Sequence, residues 1–584
     1  MKKTFLTMLA ATLCATATAL PQRGDKIQLQ LLETSDVHGS FFPHDFITGK
    51  ALPGSMARIS HYVDSLRKAC PDQVILLDNG DILQGRPVSY YYNFVVPQQE
   101  NIAASVINYM KYDAQSYGNH DIEAGHKVYD KWADEVNCPL LGANMLNAAA
   151  TPDGMTVNLQ PAIAPYTIVN RSGVKVAVLG LITPAVPNWL AENLWSGLKF
   201  QPMVESARYW VEYIKRNEKP DVIVGLFHSG YKGGITTETY SENAAAQVAR
   251  EVPGFDVIFC GHDHRRNNTM DDVCDGSKVL VLNPANNAMA LAQATISLEH
   301  DGEQWHVTGS KGDIVDVRNT PVDQAYMEHF AAQVSEVDQW VNRPIGTLSK
   351  TIQSSDCFFG NSAFGDMILK LMLDITGADI AVSAPLQADA VLSKGNITVG
   401  NMFDLYRFEN DLYVVNLTGK ELRNFLEMSY DLWVSTMTSP SDHIMRVKDN
   451  GKRVWFEMPT YNFDSAMGID YEVDVTKPVG QRVKVLRMSN GIAFDENKTY
   501  RVAMNSYRAN GGGELMTRGA GIPKEQIDSR IIYRSSTNMR TELMKAIEKQ
   551  GTINPQPASN WRFVPEKWTT HALKRDRALL FPQK

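Results

Sequence analysis

Cysteine is scarce in this chain, with six among 584 residues. No two of them have Cys-x-x-Cys spacing, so the sequence does not support a zinc site built from thiolates. Cys260 and Cys274 could pair in an oxidising compartment, and two buried free thiols are an equally good interpretation. A metal site in this chain is therefore expected to use oxygen and nitrogen ligands.

Long apolar runs are also scarce. After the first 20 residues, no stretch reaches the roughly 18–20 apolar residues that a membrane-spanning helix needs. The N-terminus combines Lys2-Lys3, a short apolar region at Phe5–Leu13 and two candidate small-residue cleavage sites, Ala15-Thr16-Ala17 and Ala17-Thr18-Ala19. This combination is typical of a secretory signal peptide. We expect residues 1–20 to be removed and the mature protein to be secreted, in the periplasm, without a membrane span.

Positive charge is not in excess, since the formal net charge is −8 and no long stripe of Lys and Arg occurs. This argues against a nucleic-acid polymer as partner. A small phosphorylated substrate remains compatible, because bound metal ions could attract it locally. The length exceeds the roughly 250–300 residues of a single core, so two domains in a monomer are expected.

The first half of the chain repeats one pattern, in which a helix precedes an apolar strand that ends in a polar loop. Such strands are predicted at Ile27–Glu33, Val74–Leu77, Val222–Phe227 and Asp256–Cys260. The pattern predicts α/β architecture with functional side chains at the strand ends. The second half mixes helices and strands, which indicates a smaller α+β domain. The predicted parts are a first domain at 21–320, an interdomain helix at 321–344, a second domain at 345–551 and an irregular C-terminal tail at 552–584.

Polar side chains suited to metal binding follow these strands. Each one alone is more often a turn residue or a hydrogen-bonded polar group. Together they supply enough oxygen and nitrogen ligands for two divalent metal ions, and mixed ligands of this kind suit Zn, Mn, Fe or Co. The candidate ligands are Asp36, His38, Asp81, Asn119, His228, His262 and His264.

The candidate ligands imply a particular chemistry. One carboxylate must bridge two neighbouring cations, and Asp81 stands alone on its loop, so we assign it that role. Water held between two cations loses a proton near neutral pH and becomes a nucleophile that can attack phosphorus. His120, next to Asn119, is placed to stabilise the developing charge or to protonate a leaving oxygen. Asp121 and Glu123 are competing acidic partners for His120.

The five motifs at these positions resemble those of the calcineurin-like metallophosphoesterases. In chain order they are Asp-x-His, Gly-Asp, Gly-Asn-His-Asp, a single His and Gly-His-x-His. The resemblance implies a four-layer α/β/β/α sandwich with two metal ions. It implies that one ion is held by Asp36, His38, Asp81 and His264, and the other by Asp81, Asn119, His228 and His262.

The second half resembles the C-terminal, nucleoside-binding domain of secreted 5′-nucleotidases, at 363–383, 395–409 and 414–430. In that family two aromatic side chains hold the base, and a flat pair suits any nucleobase. The matching positions are Phe463 and Tyr507. The family also implies Glu123 as the acidic partner of the catalytic histidine. Further candidates for phosphate or ribose contacts are Arg407 and Arg508.

Two features separate the branches of this family. The phosphate-binding Arg of 5′-nucleotidases has no counterpart in Ser383-Ala384-Pro385-Leu386. The segments 461–464, 471–476 and 505–509 look closer to 2′,3′-cyclic-nucleotide 2′-phosphodiesterases/3′-nucleotidases. We therefore predict a metal-dependent hydrolase of cyclic or 3′-nucleotides. The alternatives are a 5′-nucleotidase or UDP-sugar hydrolase, and a nucleotide-binding protein without catalysis.

Overall fold

The computed structural model describes residues 21–149, 161–449, 451 and 453–582. The predicted signal peptide at 1–20 lies outside the described residues. Among the described residues, no helix combines the length and apolar character needed to cross a bilayer.

Among its described residues before 320, the first domain has sixteen strands and seven α-helices. The strands are β1 (Lys26–Thr34), β2 (Val74–Asp78), β3 (Ala114–Ser116), β4 (Leu140–Leu141), β5 (Met145–Asn147), β6 (Tyr166–Arg171), β7 (Val174–Ile182), β8 (Leu198–Phe200), β9 (Val222–His228), β10 (Gly233–Thr236), β11 (Ser241–Asn243), β12 (Val257–Cys260), β13 (Asn267–Asp272), β14 (Lys278–Asn283), β15 (Ala290–His300) and β16 (Trp305–Asp316). The helices are α1 (Met56–Ala69), α2 (Pro87–Tyr90), α3 (Ile102–Met110), α4 (Asn119–Glu123), α5 (His126–Glu135), α6 (Met203–Asn217) and α7 (Ala245–Glu251).

Two six-stranded sheets pack face to face in this domain, with strand orders β16-β15-β1-β2-β3-β4 and β13-β14-β12-β9-β7-β6. Leu29 and Leu31 of β1 meet Val176 and Val224 of the other sheet in a shared apolar core. Since alternate residues of a strand point to opposite faces, Leu32 instead packs under helices α1 and α3. Helices α6 and α7 cover the outer face of the second sheet. The predicted α/β/β/α sandwich is confirmed.

Two helices connect the domains where the sequence predicts one. They are α8 (Gln324–His329) and α9 (Ala331–Val341), and the backbone leaves helical geometry at Phe330 between them. Phe330 is fully buried in the core of the first domain, together with Val337. The break lets both helices follow the surface of that core, so the prediction of a single helix is wrong.

The second domain is built on a five-stranded sheet of order β25-β19-β28-β22-β29. Helix α12 packs on one face of this sheet and helices α10 and α15 pack on the other. The strands are β17 (Pro344–Leu348), β18 (Ile352–Gln353), β19 (Ile380–Ser383), β20 (Val391–Leu392), β21 (Gly395–Thr398), β22 (Asp411–Thr418), β23 (Val447–Asp449), β24 (Val454–Phe456), β25 (Ser465–Met467), β26 (Ile469–Asp474), β27 (Val483–Met488), β28 (Thr499–Asn505), β29 (Ile531–Asn538), β30 (Thr552–Ile553) and β31 (Trp561–Val564). The helices are α10 (Ala363–Thr376), α11 (Asn401–Leu405), α12 (Gly419–Trp433), α13 (Ser506–Ala509), α14 (Lys524–Arg530), α15 (Met539–Gln550) and α16 (Glu566–Leu580).

The C-terminal segment is a regular part of the second domain. Strand β31 pairs in parallel with β26, and Trp561 and Phe563 are buried in the same core as helix α12. Helix α16 adds Ala572 and Leu580 to that core. Apolar burial on this scale gives the segment fixed structure, so the prediction of an irregular tail is wrong.

Candidate active site

All seven predicted ligands lie at one edge of the first domain, where parallel strands from both sheets end. Strands β1 and β2 are parallel neighbours, as are β9 and β12. Because the carboxyl ends of parallel strands meet at the same sheet edge, residues far apart in the chain come together there. Asp36 and His38 follow β1, Asp81 follows β2, Asn119 follows β3, His228 ends β9, and His262 and His264 follow β12.

The backbone at this edge is strained. Five of the seven candidate ligands have positive φ, at 50° for Asp36, 49° for His38, 56° for Asp81, 67° for His262 and 55° for His264. This region is uncommon for residues other than Gly, and such strain concentrates at functional sites. The polypeptide therefore turns sharply at each strand end to aim these side chains at one another.

One glycine makes the approach of Asp81 possible. A Cβ atom on Gly118 would lie 2.1 Å from Oδ1 of Asp81, which is far inside van der Waals contact. Glycine at this position lets the Asp81 carboxylate sit directly against the loop that carries Asn119 and His120.

The side chains form two groups of potential metal ligands. Asp36, His38 and His264 have ligand atoms within 4.8 Å of one another, and so do Asp81, His228 and His262. In the first group, His264 Nε2 is 3.3 Å from Asp36 Oδ1. In the second, His228 Nε2 is 3.3 Å from Asp81 Oδ2. We name these the Asp36 group and the Asp81 group.

Asp81 and Asn119 extend these groups. Asp81 Oδ2 also lies 4.0 Å from His38 Nε2, so its carboxylate stands between the two groups. Asn119 Oδ1 lies 3.1 Å from His228 Nε2 and adds an oxygen to the Asp81 group. This oxygen and nitrogen donor set, without sulfur, fits two divalent cations of the first transition series.

The protonation states of Asp36, Asp81 and His38 suit metal binding, whereas the charges of Asp81 and Asp36 outweigh burial and raise the pKa of His228 to about 10 before any cation is bound. Burial raises the pKa of Asp81, but the neighbouring His228 and His120 outweigh it and hold that pKa well below its usual range. Burial also opposes ionisation of Asp36, yet the contacts with His264 and His228 lower its pKa to about 2. Burial lowers the pKa of His38 to about 4. Ionised carboxylates and a neutral imidazole are the forms that bind cations.

The remaining ring nitrogens of two imidazoles are held by backbone carbonyl groups. His228 Nδ1 lies 2.6 Å from the Asn79 carbonyl oxygen. His38 Nδ1 lies 3.2 Å from the Gln84 carbonyl oxygen. Since a carbonyl oxygen only accepts hydrogen bonds, each Nδ1 carries the proton and each Nε2 is free to face the ligand groups.

The two acidic neighbours of His120 lie in different places. Glu123 Oε2 lies 2.5 Å from His120 Nδ1. Asp121 instead accepts hydrogen bonds at 2.8–2.9 Å from the backbone N–H groups of Gly118, Asp81, Ile82 and Leu83. Asp121 therefore stabilises the loop that carries Asp81, and Glu123 is the acid that contacts His120.

His120 is tied to both the Asp81 loop and Glu123. Its backbone N–H donates to Asp81 Oδ1 at 2.7 Å. Burial lowers the pKa of His120, but the charges of Asp81 and Glu123 outweigh it and raise that pKa to about 9 before any cation is bound. With Nδ1 directed at Glu123, Nε2 is the atom available to a substrate.

A cavity of about 570 Å³ lies between the two domains. The first domain contributes His120, Glu123 and His262 to its wall, and the second domain contributes Tyr461 and Tyr507. The centres of these two tyrosine rings are 6.5 Å apart at an angle of 87°. The edge that carries the predicted ligands and an aromatic pair therefore face the same space.

Phe463 does not face this cavity. Its side chain is fully buried in the core of the second domain and stacks on Trp433, with ring centres 5.7 Å apart. Tyr461, two residues earlier, is 39% exposed and lines the cavity. The structure does not support the predicted base contact of Phe463, because the cavity-lining aromatic of this Tyr-Asn-Phe-Asp motif is Tyr461, which the sequence analysis missed.

Neither predicted arginine is among the described residues that line the cavity. Arg508 is 2% exposed, and its guanidinium binds Asp464 Oδ2 at 2.8 Å and the Tyr461 carbonyl oxygen at 2.8 Å. The guanidinium of Arg508 therefore holds the turn that carries Tyr461. Arg407 is exposed and is not among the described residues that line the cavity. Its carbonyl oxygen accepts from Arg540 Nη2 at 2.6 Å.

A sandwich domain with a divalent-metal donor set at its strand ends, joined to a second domain across a cavity, defines a metal-dependent phosphoric ester hydrolase. The family model of the calcineurin-like phosphoesterases matches residues 29–266, and that of the 5′-nucleotidase C-terminal domain matches residues 344–518. The chain therefore combines a calcineurin-like phosphoesterase domain with a 5′-nucleotidase C-terminal domain. The alternative of a binding protein without catalysis is therefore wrong.

Several known proteins are similar to this chain in sequence or in structure, and their names refer to nucleotide phosphoesterases or nucleotidases. The trifunctional nucleotide phosphoesterase protein YfkN of Bacillus subtilis is 26% identical over 95% of this chain, which spans only 40% of that protein. The 2′,3′-cyclic-nucleotide 2′-phosphodiesterase/3′-nucleotidase of Haemophilus influenzae is 25% identical over 95% of this chain and 90% of its own length. A solved structure of a putative 5′-nucleotidase from Staphylococcus aureus covers 92% of this chain and 100% of its own, with a TM-score of 0.73 and 21% identity. This structure supports the two-domain fold.

Proposed function

We propose that this enzyme hydrolyses 2′,3′-cyclic nucleotides and 3′-nucleotides. The observation that carries this proposal is the shared cavity, which joins an aromatic pair to His120 and to a two-metal donor set. Stacking of a nucleobase on an aromatic ring is worth about 1–3 kcal/mol and works with any base. With the base at Tyr461 and Tyr507, the phosphate group would lie toward the Asp36 and Asp81 groups.

The charge of the cavity wall supports a substrate with a single phosphate group. None of the described lining residues is Lys or Arg, whereas Glu123, Glu242, Glu409 and Asp411 are acidic. A phosphate can therefore be neutralised only beside the predicted metal ligands. A 5′-nucleotidase of this family would use an Arg in the second domain, and the segment Ser383–Leu386 has none.

We assign two divalent cations to this site, with Asp81 shared between the Asp36 group and the Asp81 group and Asn119 completing the latter. Zn, Mn, Fe and Co all suit the donor set. When bound, such a pair of cations neutralises phosphate charge and supplies a nucleophile at neutral pH.

The protein side chains then hold the substrate and move one proton. His120, oriented by Glu123 through Nδ1, presents Nε2 to the cavity. From there it can stabilise charge on the phosphoryl oxygens or protonate the departing sugar oxygen. Asp121 acts indirectly, because it keeps the loop of Asp81 in place.

Export of the protein is also part of this proposal. The Lys2-Lys3 start, the apolar Phe5–Leu13 region and the Ala17-Thr18-Ala19 site support a cleaved signal peptide and a periplasmic location. Intact mass and N-terminal sequencing of the protein from its native host would show loss of residues 1–20. Retention of Met1 on a protein found inside the cell would contradict this part.

The test of the activity compares product formation from 2′,3′-cyclic AMP, 3′-AMP, 5′-AMP and a UDP-sugar. Each reaction is run in Mn²⁺, in Zn²⁺ and in EDTA. Products are separated directly, because opening the cyclic phosphate releases no free phosphate. We expect turnover of the first two substrates and none in EDTA. Preference for 5′-AMP or the UDP-sugar would favour the alternative activity, and turnover in EDTA would contradict the two-metal assignment.

A further inference from the structure

We propose that Glu242 is a positioning residue that fixes His262 as a ligand of the second cation through Nδ1. This inference rests on the proposed two-metal function and extends it beyond the ligands themselves. Glu242 lies on strand β11 of the short hairpin formed by β10 and β11. Its Oε1 lies 2.9 Å from His262 Nε2.

The hydrogen bond decides which ring nitrogen of His262 can bind a cation. The Glu242 carboxylate accepts a hydrogen bond from Nε2–H, so Nδ1 keeps its lone pair, and we infer that Nδ1 is the ligand atom that His262 offers beside Asp81 and His228. The group of potential ligands formed by these three residues is compact, with ligand atoms within 4.8 Å. Rotation of the ring by half a turn would break the Glu242 contact and remove Nδ1 from this group.

Glu242 differs from the partners of the other imidazoles. His38 and His228 are held by backbone carbonyl oxygens, and His264 Nδ1 contacts the side-chain amide of Asn286 at 3.1 Å. Of the four candidate imidazole ligands, all of which are described, only His262 has a carboxylate as its outer partner. A charged acceptor makes the imidazole a more basic ligand than a neutral carbonyl does.

The hairpin holds the carboxylate rigidly. Oε2 of Glu242 accepts a hydrogen bond from the Ile235 backbone N–H at 2.6 Å, so the two oxygens have separate partners. The side chains of Glu242 and His262 are only 14% and 11% exposed. The Trp189 ring lies over His262, with ring centres 5.5 Å apart. Little freedom remains for the imidazole to turn.

The expected consequence is specific to one cation. Loss of an outer-shell partner typically weakens metal affinity about 10–100-fold. The Asp36 group does not contact Glu242, so the affinity of the first cation is expected to stay the same. Glu242→Ala should regain most of its kcat at high metal concentration.

The experiment titrates chelator-treated enzyme with Mn²⁺ and counts bound ions by calorimetry and elemental analysis. We expect two tight ions in the wild type and in Glu238→Gln, which alters an exposed carboxylate of the same hairpin. Glu242→Ala should keep one tight ion and bind the second about 10–100-fold more weakly. The affinity of Glu242→Gln for the second ion should lie between those of the wild type and Glu242→Ala, because one amide oxygen cannot accept hydrogen bonds from both Ile235 and His262.

The outcomes separate this inference from the proposed function. Two ions bound by Glu242→Ala with wild-type affinity would overturn the role of Glu242 and leave the two-metal site standing. Fewer than two ions in the wild type would overturn the two-metal function itself. If Glu242→Ala fails to fold, the Glu242→Gln titration decides. Wild-type affinity of Glu242→Gln for both ions would then overturn the inference.

Discussion

Tyr461 and Phe463 are two residues apart in one motif. The structure predicts that changing Tyr461 to Ala affects substrate binding and that changing Phe463 to Ala affects stability. The Tyr461 ring lines the cavity and is 39% exposed, whereas the Phe463 ring is fully buried. Tyr461→Ala should weaken substrate binding and leave stability almost unchanged. Phe463→Ala should lower stability and leave the substrate contacts of the folded enzyme in place.

The magnitudes follow from these environments. Loss of one stacking partner of a base costs about 1–3 kcal/mol, which corresponds to a rise in KM of roughly 5- to 150-fold. Truncation of a buried Phe to Ala costs about 3–5 kcal/mol of unfolding free energy. Phe463→Ala also removes the stacking of the Phe463 ring on Trp433, so we expect a cost in the upper half of that range.

The assay measures KM and kcat for the best nucleotide and for bis-p-nitrophenyl phosphate, an ester without a base. Urea unfolding gives the stability of each variant. Tyr461→Ala should raise KM for the nucleotide alone, and Tyr461→Phe should restore it. A rise in KM in Phe463→Ala with unchanged stability, together with wild-type kinetics in Tyr461→Ala, would refute the assignment of the aromatic pair.

Three further predictions concern the ligands, the catalytic histidine and the pH dependence of stability. Asp81→Ala should bring turnover below detection and reduce bound metal, measured by elemental analysis, because both groups lose a shared carboxylate; full activity would contradict the shared role. His120→Ala should slow turnover by roughly 10²–10⁴-fold with metal content unchanged, and Glu123→Gln should slow it less; parallel loss of metal would contradict a role in proton transfer. Asp256, at the opposite end of strand β12, has its pKa raised to about 6 by burial. The folded protein therefore holds a proton that the unfolded chain releases near pH 4, and the unfolding free energy should fall between about pH 4 and pH 6, by at most about 3 kcal/mol. In urea titrations across that range, Asp256→Asn should remove this part of the slope, and an unchanged slope would contradict it.

The sequence pattern by itself indicated α/β architecture with the candidate ligands at the strand ends, and the resemblance to a known family added the four-layer sandwich. Strands β1, β2, β9 and β12 are largely apolar runs that end in, or are soon followed by, Asp or His, and parallel strands end at one edge. Local pattern and general sheet geometry are therefore enough to bring Asp36, Asp81, His228 and His264 together. No contact between distant side chains had to be known.

Only the tertiary structure decided the outer contacts of the site. Asp121 and Glu123 are both close to His120 in the chain, and the turn into helix α4 directs one to the backbone and the other to the ring. Tyr461 and Phe463 are both aromatic, and only the packing of Trp433 shows which one is core.

Glu242 is the clearest example of a contact that only the tertiary structure decided. It lies 20 residues before His262, on a hairpin with exposed residues in β10 and no apolar pattern, and nothing local links the two side chains. Contacts of this kind depend on how separate loops meet above the sheets. A sequence pattern records which face of an element is buried, but it does not record which side chain from another loop lies against it.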